Sequence, residues 1–351
     1  MKKIIVLFGG KSTEHSISLK TGKFIFDTLD RKKYEVKPIL ITESGIWLIP
    51  KNEVHELPSF KSEINYSNQF EKDFRDLGVN EIFLPTSLPG ELVFLGLHGG
   101  DGENGNIQAY LSLLGIPFTG SGVLASALAM DKEKANLIFL SKGLNVAKFF
   151  TITKYFSFQA IEYLKKYDMG FPVFVKPNQG GSSVGAGMAH NPEELEFRLS
   201  QVFSLEEKAI VQTLVTGIEV SCGVIEFPII QNGKTYYIPK ALFPTEIVPK
   251  SEFFDFQAKY LGKSEEITPA RISKELTQTV QAMAILAHES LGCRGYSRTD
   301  FIIQDNIPMI LETNTLPGMT GASLIPQQVR YEGMSMQDIL DILVENALER
   351  N

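Results

Sequence analysis

The sequence predicts a mixed α/β protein organised around a doubly wound sheet, and two segments carry that expectation. In each, an apolar run is closed by glycines and a helical stripe follows at once. Residues 4–8 are all apolar and stop at Gly9-Gly10, as a buried parallel strand does. Ile17, Phe24, Ile25 and Leu29 then supply the stripe. Residues 91–97 form another strand, closed by the loop His98-Gly99-Gly100-Asp101-Gly102-Glu103-Asn104-Gly105. Beyond it Ile107, Tyr110, Leu111 and Leu114 recur at i, i+3, i+4 and i+7. Open sheets of this kind bind ligands at the strand C-terminal ends, where these loops lie.

Bulk composition removes several function classes. At 351 residues the chain exceeds one small domain and suits two or three modules. A formal net charge of −7, with no long Lys or Arg run, argues against nucleic-acid binding. The first apolar run is too short for a signal-peptide core, and no later stretch reaches spanning length, so no membrane role is expected. Cys222 and Cys293 have no paired spacing and the five histidines are scattered, which leaves no disulfide framework or zinc site. A soluble, cytoplasmic protein is expected.

The remaining elements follow in order. Residues 36–41 form a strand, whereas 51–83 is polar and irregular and carries no assignable chemistry. From Ser121 the pattern is helical, through Met130-Asp131-Lys132 to Gly143 at a helix C′ position. A short strand at 173–176 enters Pro177-Asn178-Gln179-Gly180-Gly181-Ser182-Ser183-Val184-Gly185. Asn191-Pro192-Glu193-Glu194 provides an N-cap, an N1 proline and a capping-box glutamate. Residues 209–212 and 219–225 alternate as strands, and Asn232-Gly233 marks a hairpin. The segment 249–263 reads as a mobile loop. A long helix carries Ile272, Leu276, Val280, Met283 and Ala287 and stops at Gly292. Strands at 295–303 and 308–314 then lead into Pro317-Gly318.

The last two strands concentrate chemistry. Residues two apart in a strand share a face, so Arg298 and Asp300 point one way, as do Ile310, Glu312 and Asn314. A three-residue loop at 305–307 places Asp300 opposite Glu312 and Arg298 opposite Asn314. A two-residue turn instead pairs Asp300 with Leu311 and turns Glu312 away, unless a bulge restores the facing. The expectation is therefore an odd loop or a bulge. Two carboxylates and an amide are hard oxygen ligands suited to Mg²⁺ or Mn²⁺. Taken alone, the same residues also suit a surface strand pair with solvated charges.

Lysines elsewhere suggest phosphate. Lys176 precedes a glycine-serine loop rich in backbone donors, although no Walker closure or dinucleotide fingerprint is present. Lys132 offers a second cation, and Lys259, on the 249–263 loop, a third. A lid closing over phosphates needs a lysine so placed. Glu14 follows Gly9-Gly10 near a helix start, where it is either a helix-dipole carboxylate or a ligand-binding group.

Together these segments resemble the D-alanine–D-alanine ligase family of the ATP-grasp superfamily. The ordered set is Gly9-Gly10…Glu14-His15, His98-Gly99…Gly102-Glu103…Gly105, Met130-Asp131-Lys132, Lys176-Pro177…Gly181-Ser182-Ser183-x-Gly185, Lys259-Tyr260, Arg298-x-Asp300 and Glu312-x-Asn314-x-x-Pro317-Gly318-Met319-Thr320. It extends over essentially the whole chain. The resemblance implies an ATP-grasp fold: an N-terminal doubly wound parallel-sheet domain (1–120), a small central α+β domain (121–212) and a C-terminal α+β domain (213–351).

The resemblance also implies an ATP-driven condensation of two D-alanines through a D-alanyl phosphate, for peptidoglycan precursors. Lys132 and Lys176 would lie on the ATP phosphates, and Glu219 on the ribose. Ser183, Gln212, Leu214, Phe253 and Lys259 would complete the nucleotide site. Asp300, Glu312 and Asn314 would hold two Mg²⁺ (or Mn²⁺) ions. Glu14, with His98 nearby, would bind the first D-alanine, its ammonium anchor linked through Ser182 to Tyr260. Arg298 and the Gly318 N–H would stabilise the tetrahedral oxyanion; Ser323 and Leu324 would bind the second carboxylate. A homodimer formed through the N-terminal domain is implied as well.

Ser16 stands where relatives often have an acid, Gln212 where they often have Glu, and 51–83 matches no family motif. The alternatives are a D-alanine–D-lactate ligase, against which Tyr260 argues, or another ATP-grasp carboxylate–amine ligase. A dinucleotide oxidoreductase lacks its Gly-x-Gly-x-x-Gly. A non-catalytic nucleotide module does not need the metal and arginine set.

Overall fold

The structure is a computed structural model and describes residues 1–60, 66–180, 185–249 and 264–349. Its first strand, β1 (Lys2–Gly9), is buried from Ile4 onward, as its unbroken apolar run requires. α1 (His15–Thr28), β2 (Tyr34–Ile41), β3 (Trp47–Pro50), α2 (Tyr66–Arg75), β4 (Val79–Ile82), β5 (Leu92–Leu95) and α3 (Asn106–Leu113) follow. The sheet order is β4-β3-β2-β1-β5. β1 runs parallel to β2 and β5, while β3 and β4 add an antiparallel edge.

Two expectations change here. The 51–83 segment is not wholly irregular, because it contains α2 and β4. Phe70 and Phe74, one turn apart on α2, are buried and meet Phe8 edge-on at 6.3 and 6.0 Å. Along α1 the buried face runs through Leu19, Gly22, Ile25 and Phe26, leaving Ile17 and Phe24 half-exposed. Gly22 lies over Phe8, where a Cβ would stand 2.2 Å from the ring, so the helix rests directly on the strand.

The stretch expected to be helical from Ser121 divides into α4 (Val123–Met130) and α5 (Lys132–Ser141). Asp131 separates them, and its carboxylate accepts from the Lys134 N–H as the α5 N-cap. β6 (Phe149–Thr153), α6 (Ala160–Lys166), β7 (Val173–Pro177), β8 (Gly187–Ala189), α7 (Pro192–Phe203) and β9 (Lys208–Thr213) build a second, antiparallel sheet ordered β6-β9-β7-β8. Asn191 caps α7 by accepting from the Glu194 N–H, as its capping box predicts.

The third sheet uses β10 (Ile218–Gln231), β11 (Lys234–Ala241), β12 (Thr245–Pro249) and β13 (Ser264–Ile267). After α8 (Lys274–Leu291) come β14 (Tyr296–Gln304) and β15 (Ile307–Asn314). Its order is β13-β12-β10-β14-β15, with β11 paired to β10. α8 ends at Gly292 with φ 72°, a left-handed C-cap. The chain closes with α9 (Leu324–Tyr331) and α10 (Met336–Glu349). α10 turns back to the first sheet: Ile339, Leu340, Leu343 and Val344 share one core with Ile4, Leu7 and Phe94. Among the described residues no helix is long and apolar enough to cross a membrane.

Candidate active site

The β14–β15 hairpin decides the facing of the candidate metal residues. Of the two expected routes, an odd loop or a bulge, the hairpin takes the bulge. Gln304 pairs with Ile307, so the turn is only Asp305-Asn306, both at positive φ (51° and 63°). A register shift between Asp300 and Phe301 offsets it, and Leu311 is the extra residue. Asp300 consequently stands opposite Glu312, and Arg298 opposite Asn314. Ile310 does not share their face. It lies opposite Phe301, and both are buried in the core beneath the sheet.

The polar face extends to β10, where Ser221 lies opposite Asp300 and donates its hydroxyl to Asp300 Oδ1. Arg298 grips the same carboxylate with two N–H groups, at 2.8 and 2.7 Å, and Asn314 donates to it at 3.2 Å. Glu219 sits two residues before Ser221, on the same face of β10. On the opposite face, apolar residues such as Val220, Val224 and Phe301 surround Thr299 and Thr313, which hydrogen-bond each other at 2.9 Å. Among the described residues no three His, Cys, Asp or Glu side chains converge on one point. An ion here would take two carboxylates and an amide from the protein, and its remaining ligands from water or phosphate oxygen. That suits Mg²⁺. The donors fit a cation, since Asp300 already holds one bidentately.

Lys132 comes to this face from α5: its Nζ lies 4.0 Å from Glu312 Oε2 and donates to the Gly180 carbonyl at 2.6 Å. α5 is held there by Asn178, which is 1% exposed. The Asn178 carbonyl accepts from the Lys132 N–H and its side-chain oxygen from the Glu133 N–H, both at 3.0 Å. With Asp131 on the next amide, the first three helix donors are satisfied. Glu206 secures Asn178 and Gln179 from behind by accepting their N–H groups at 2.8 and 2.9 Å. Burial pushes the Glu133 carboxyl up, but hydrogen bonds from Lys208, Thr151 and Lys134 outweigh it and hold it at about 2.

Lys176 and Gln212 share one face of the central sheet, with Phe174 and Ile210. The other face, from Val173, Val175, Ala209 and Val211, is core. Gln212 is buried and Leu214 half-buried just beyond β9.

The opposite wall comes from the first sheet. Glu14 is 7% exposed at the start of α1 and packs against Gly99. His98 is buried; its Nδ1 lies 3.1 Å from the Leu316 carbonyl and its Nε2 2.8 Å from the Thr21 hydroxyl. A carbonyl only accepts, so Nδ1 carries the proton and Nε2 receives the hydroxyl's. Burial lowers the His98 pKa against the pull of Glu14, which keeps the ring neutral. The His98–Leu316 bond ties the 98–105 glycine loop to the segment carrying Gly318. Gly318 packs on Ser323, whose hydroxyl accepts from the Thr320 N–H at 3.1 Å. Glu103 also belongs to this wall. It accepts from the Gly99 N–H at 3.1 Å, and burial together with the neighbouring Glu14 raises its pKa to about 8.

Comparison with known proteins decides the family. The model of the D-ala D-ala ligase N-terminus matches residues 3–121, and that of the C-terminus residues 138–345. The chain belongs to the D-alanine–D-alanine ligase family. Family members use ATP, and the architecture described above is the ATP-grasp fold. The D-alanine–D-alanine ligase of Leptospira interrogans is 51% identical, covering 100% of this chain and 99% of the relative. That of Flavobacterium johnsoniae is 36% identical, covering 99% and 100%. Among solved structures, the D-Ala:D-Ser ligase of Enterococcus faecalis has a TM-score of 0.84 at 29% identity, covering 99% of each chain. The Bacillus anthracis D-alanine–D-alanine ligase complexed with ATP has a TM-score of 0.73 at 28% identity, covering 99% and 98%.

Of the ligase-family residues expected from sequence, the structure brings Arg298, Asp300, Glu312, Asn314 and Lys132 together. It links His98 to the segment of Gly318 and Ser323. Ser182, Ser183, Phe253, Lys259 and Tyr260 lie outside the described residues. Ser221, Asn178, Glu206 and Glu133 were missed, because a strand serine or a loop asparagine has no local signature of its distant partner.

Proposed function

We propose that this chain condenses two D-alanines into D-alanyl-D-alanine with cleavage of ATP to ADP and phosphate. Family membership at 51% identity supports the reaction, and the observation that carries it to particular atoms is the Arg298–Asp300–Glu312–Asn314 face with Lys132 beside it. ATP lies between the Lys176–Gln212 face and the Glu219–Asp300 face. Lys132 and Lys176 receive its phosphates, Gln212 and Leu214 flank the base, and Glu219 takes the ribose. Ser183, Phe253 and Lys259 belong to the same site in this reading. Two Mg²⁺ (or Mn²⁺) ions on Asp300, Glu312 and Asn314 supply, when bound, the positive charge that offsets repulsion between phosphate and carboxylate.

Glu14 anchors the ammonium of the first D-alanine, with His98 and the Ser182–Tyr260 pair supporting it. The carboxylate of this substrate attacks the γ-phosphorus, and ADP leaves. The second amine, its carboxylate held by Ser323 and Leu324, attacks the acyl phosphate after losing a proton. Arg298 and the Gly318 N–H stabilise the tetrahedral oxyanion, which collapses with loss of phosphate. Fixing both amino acids in place contributes up to roughly 7–11 kcal/mol over a free encounter. The ligase acts in the cytoplasm as a homodimer formed through its N-terminal region.

The test is D-alanine-dependent phosphate release with mass identification of the product, repeated with added D-serine and D-lactate. D-alanyl-D-alanine as the main product supports the proposal. Mainly depsipeptide or D-alanyl-D-serine, or no ATP cleavage with D-alanine, overturns it. Sedimentation analysis tests the dimer.

A further inference from the structure

β10 changes partners along one edge. Glu219 to Ser221 pair with β12, and Val224 to Gln231 pair with β11. Between them the Ser221 carbonyl and the Gly223 N–H point at no strand, and buried backbone groups left without partners are costly. The side chain of Gln328 closes this gap. Its Oε1 accepts from the Gly223 N–H at 3.0 Å, and its Nε2 donates to the Ser221 carbonyl at 2.8 Å. One amide thus serves residues i−1 and i+1 around Cys222, the pattern that a residue of a parallel strand would make. Gln328 is wholly buried, and Nε2 also reaches Thr245 Oγ1 on β12 at 3.1 Å. Gly223 permits the approach, since a Cβ there would lie 2.7 Å from the Gln328 oxygen.

The location gives this amide a consequence. Gln328 lies one turn after Leu324 on α9, and Ser323 is the N-cap of that helix. Ser221 presents its carbonyl to Gln328 and its hydroxyl to Asp300. A single side chain therefore fixes the start of α9 relative to the strand that carries the Asp300 face. We propose that Gln328 is a positioning residue for the second amino-acid substrate, setting the distance between the Ser323–Leu324 helix start and the Arg298–Asp300 pair. This rests on the proposal that Ser323 and Leu324 receive the second carboxylate. Neither residue type nor spacing announces it, because its backbone partners, Gly223 and Ser221, lie more than 100 residues away in the chain.

Gln328→Met keeps length and volume but removes all three hydrogen bonds. Rates measured against D-alanine concentration, at saturating ATP, resolve into a constant for each amino-acid site. The expected result is a rise of about tenfold or more in the second-site constant, from ångström-scale slack at a reacting partner. The first-site constant and the KM for ATP stay within about twofold, and the melting curve stays cooperative. If Gln328→Met does not fold, Gln328→Glu, which retains the acceptor for Gly223, gives the same comparison. Equal changes in all three constants, or a lowered Tm with unchanged constants, would show a merely structural glutamine and overturn the proposal. Ser323→Ala separates the underlying reading. If it leaves the second-site constant unchanged, the carboxylate assignment fails; if it raises that constant while Gln328→Met does not, the positioning role fails.

Discussion

Gly99→Ala tests how Glu14 is held. Gly99 has φ 65° and ψ 171°, a conformation reserved almost wholly for glycine and worth about 1–3 kcal/mol of strain to other residues. A Cβ at this position would lie 2.6 Å from Glu14 Oε2 and 3.4 Å from Ser12 Oγ. Serine is already in contact range, so the carboxylate must give way, by about 0.8 Å before it reaches ordinary contact. A charge-assisted hydrogen bond to an ammonium contributes about 1.5–3 kcal/mol. Losing most of it raises the first-site D-alanine constant roughly ten- to a hundredfold. Gly115→Ala is the matched control, since Gly115 has φ 67° but nothing within 4 Å of its Cβ position. Both variants carry backbone strain and both lower Tm; only Gly99→Ala also displaces Glu14. The assay is phosphate release against D-alanine concentration, with thermal melts of both proteins. A first-site constant in Gly99→Ala no higher than in Gly115→Ala refutes the placement of Glu14 on the ammonium.

Three further expectations follow from the same geometry. Glu312→Ala, at a half-buried position opposite Asp300, should reduce D-alanine-dependent phosphate release by a factor on the order of 10²–10³ and weaken Mn²⁺ binding by the folded protein; near wild-type rates tell against the ion site. Asn178→Ala removes the acceptor of the Glu133 N–H, costing about 1 kcal/mol as lost helix caps do, and should raise the KM for ATP while leaving the D-alanine constants alone. Kinetic titration of each substrate distinguishes this from a general loss of activity. Glu133 has its carboxyl lowered from 4.5 to about 2, so its stabilising contribution is present above about pH 4.5 and is lost as pH falls toward 2. Glu133→Gln should flatten that acid limb in thermal melts, and an unchanged limb rules Glu133 out as its source.

Elements whose determinants are local were legible in the sequence. The run before Gly9, the α7 capping box and the glycine after α8 each act within a turn or a strand. α2 was not read, because the polar neighbours of Phe70 and Phe74 concealed two rings standing one turn apart. The candidate site was half legible. Asp300 and Glu312 face one another by the second of the two expected routes, a two-residue turn compensated by a bulge. Asp305-Asn306 carries the turn chemistry openly, whereas Leu311, the bulged residue, is an unremarkable strand residue. For the same reason Ile310 was placed on the wrong face. Ser221, Asn178 and Gln328 were beyond reach, because each acts on partners that only the tertiary structure brings near.

The position of α10 against the first sheet bears on how the chain is made. β1 leaves the ribosome well before Ile339, Leu340, Leu343 and Val344, which cover the same core. Until they emerge, the apolar surface around Ile4, Leu7 and Phe94 lacks part of its cover, while the second sheet, from residues 149 to 213, already has its own core. Such half-covered intermediates are prone to aggregate. The central unit is therefore free to fold ahead of the region that precedes it, and a chain broken off before Met336 would lose the first region's cover although its sequence there is intact.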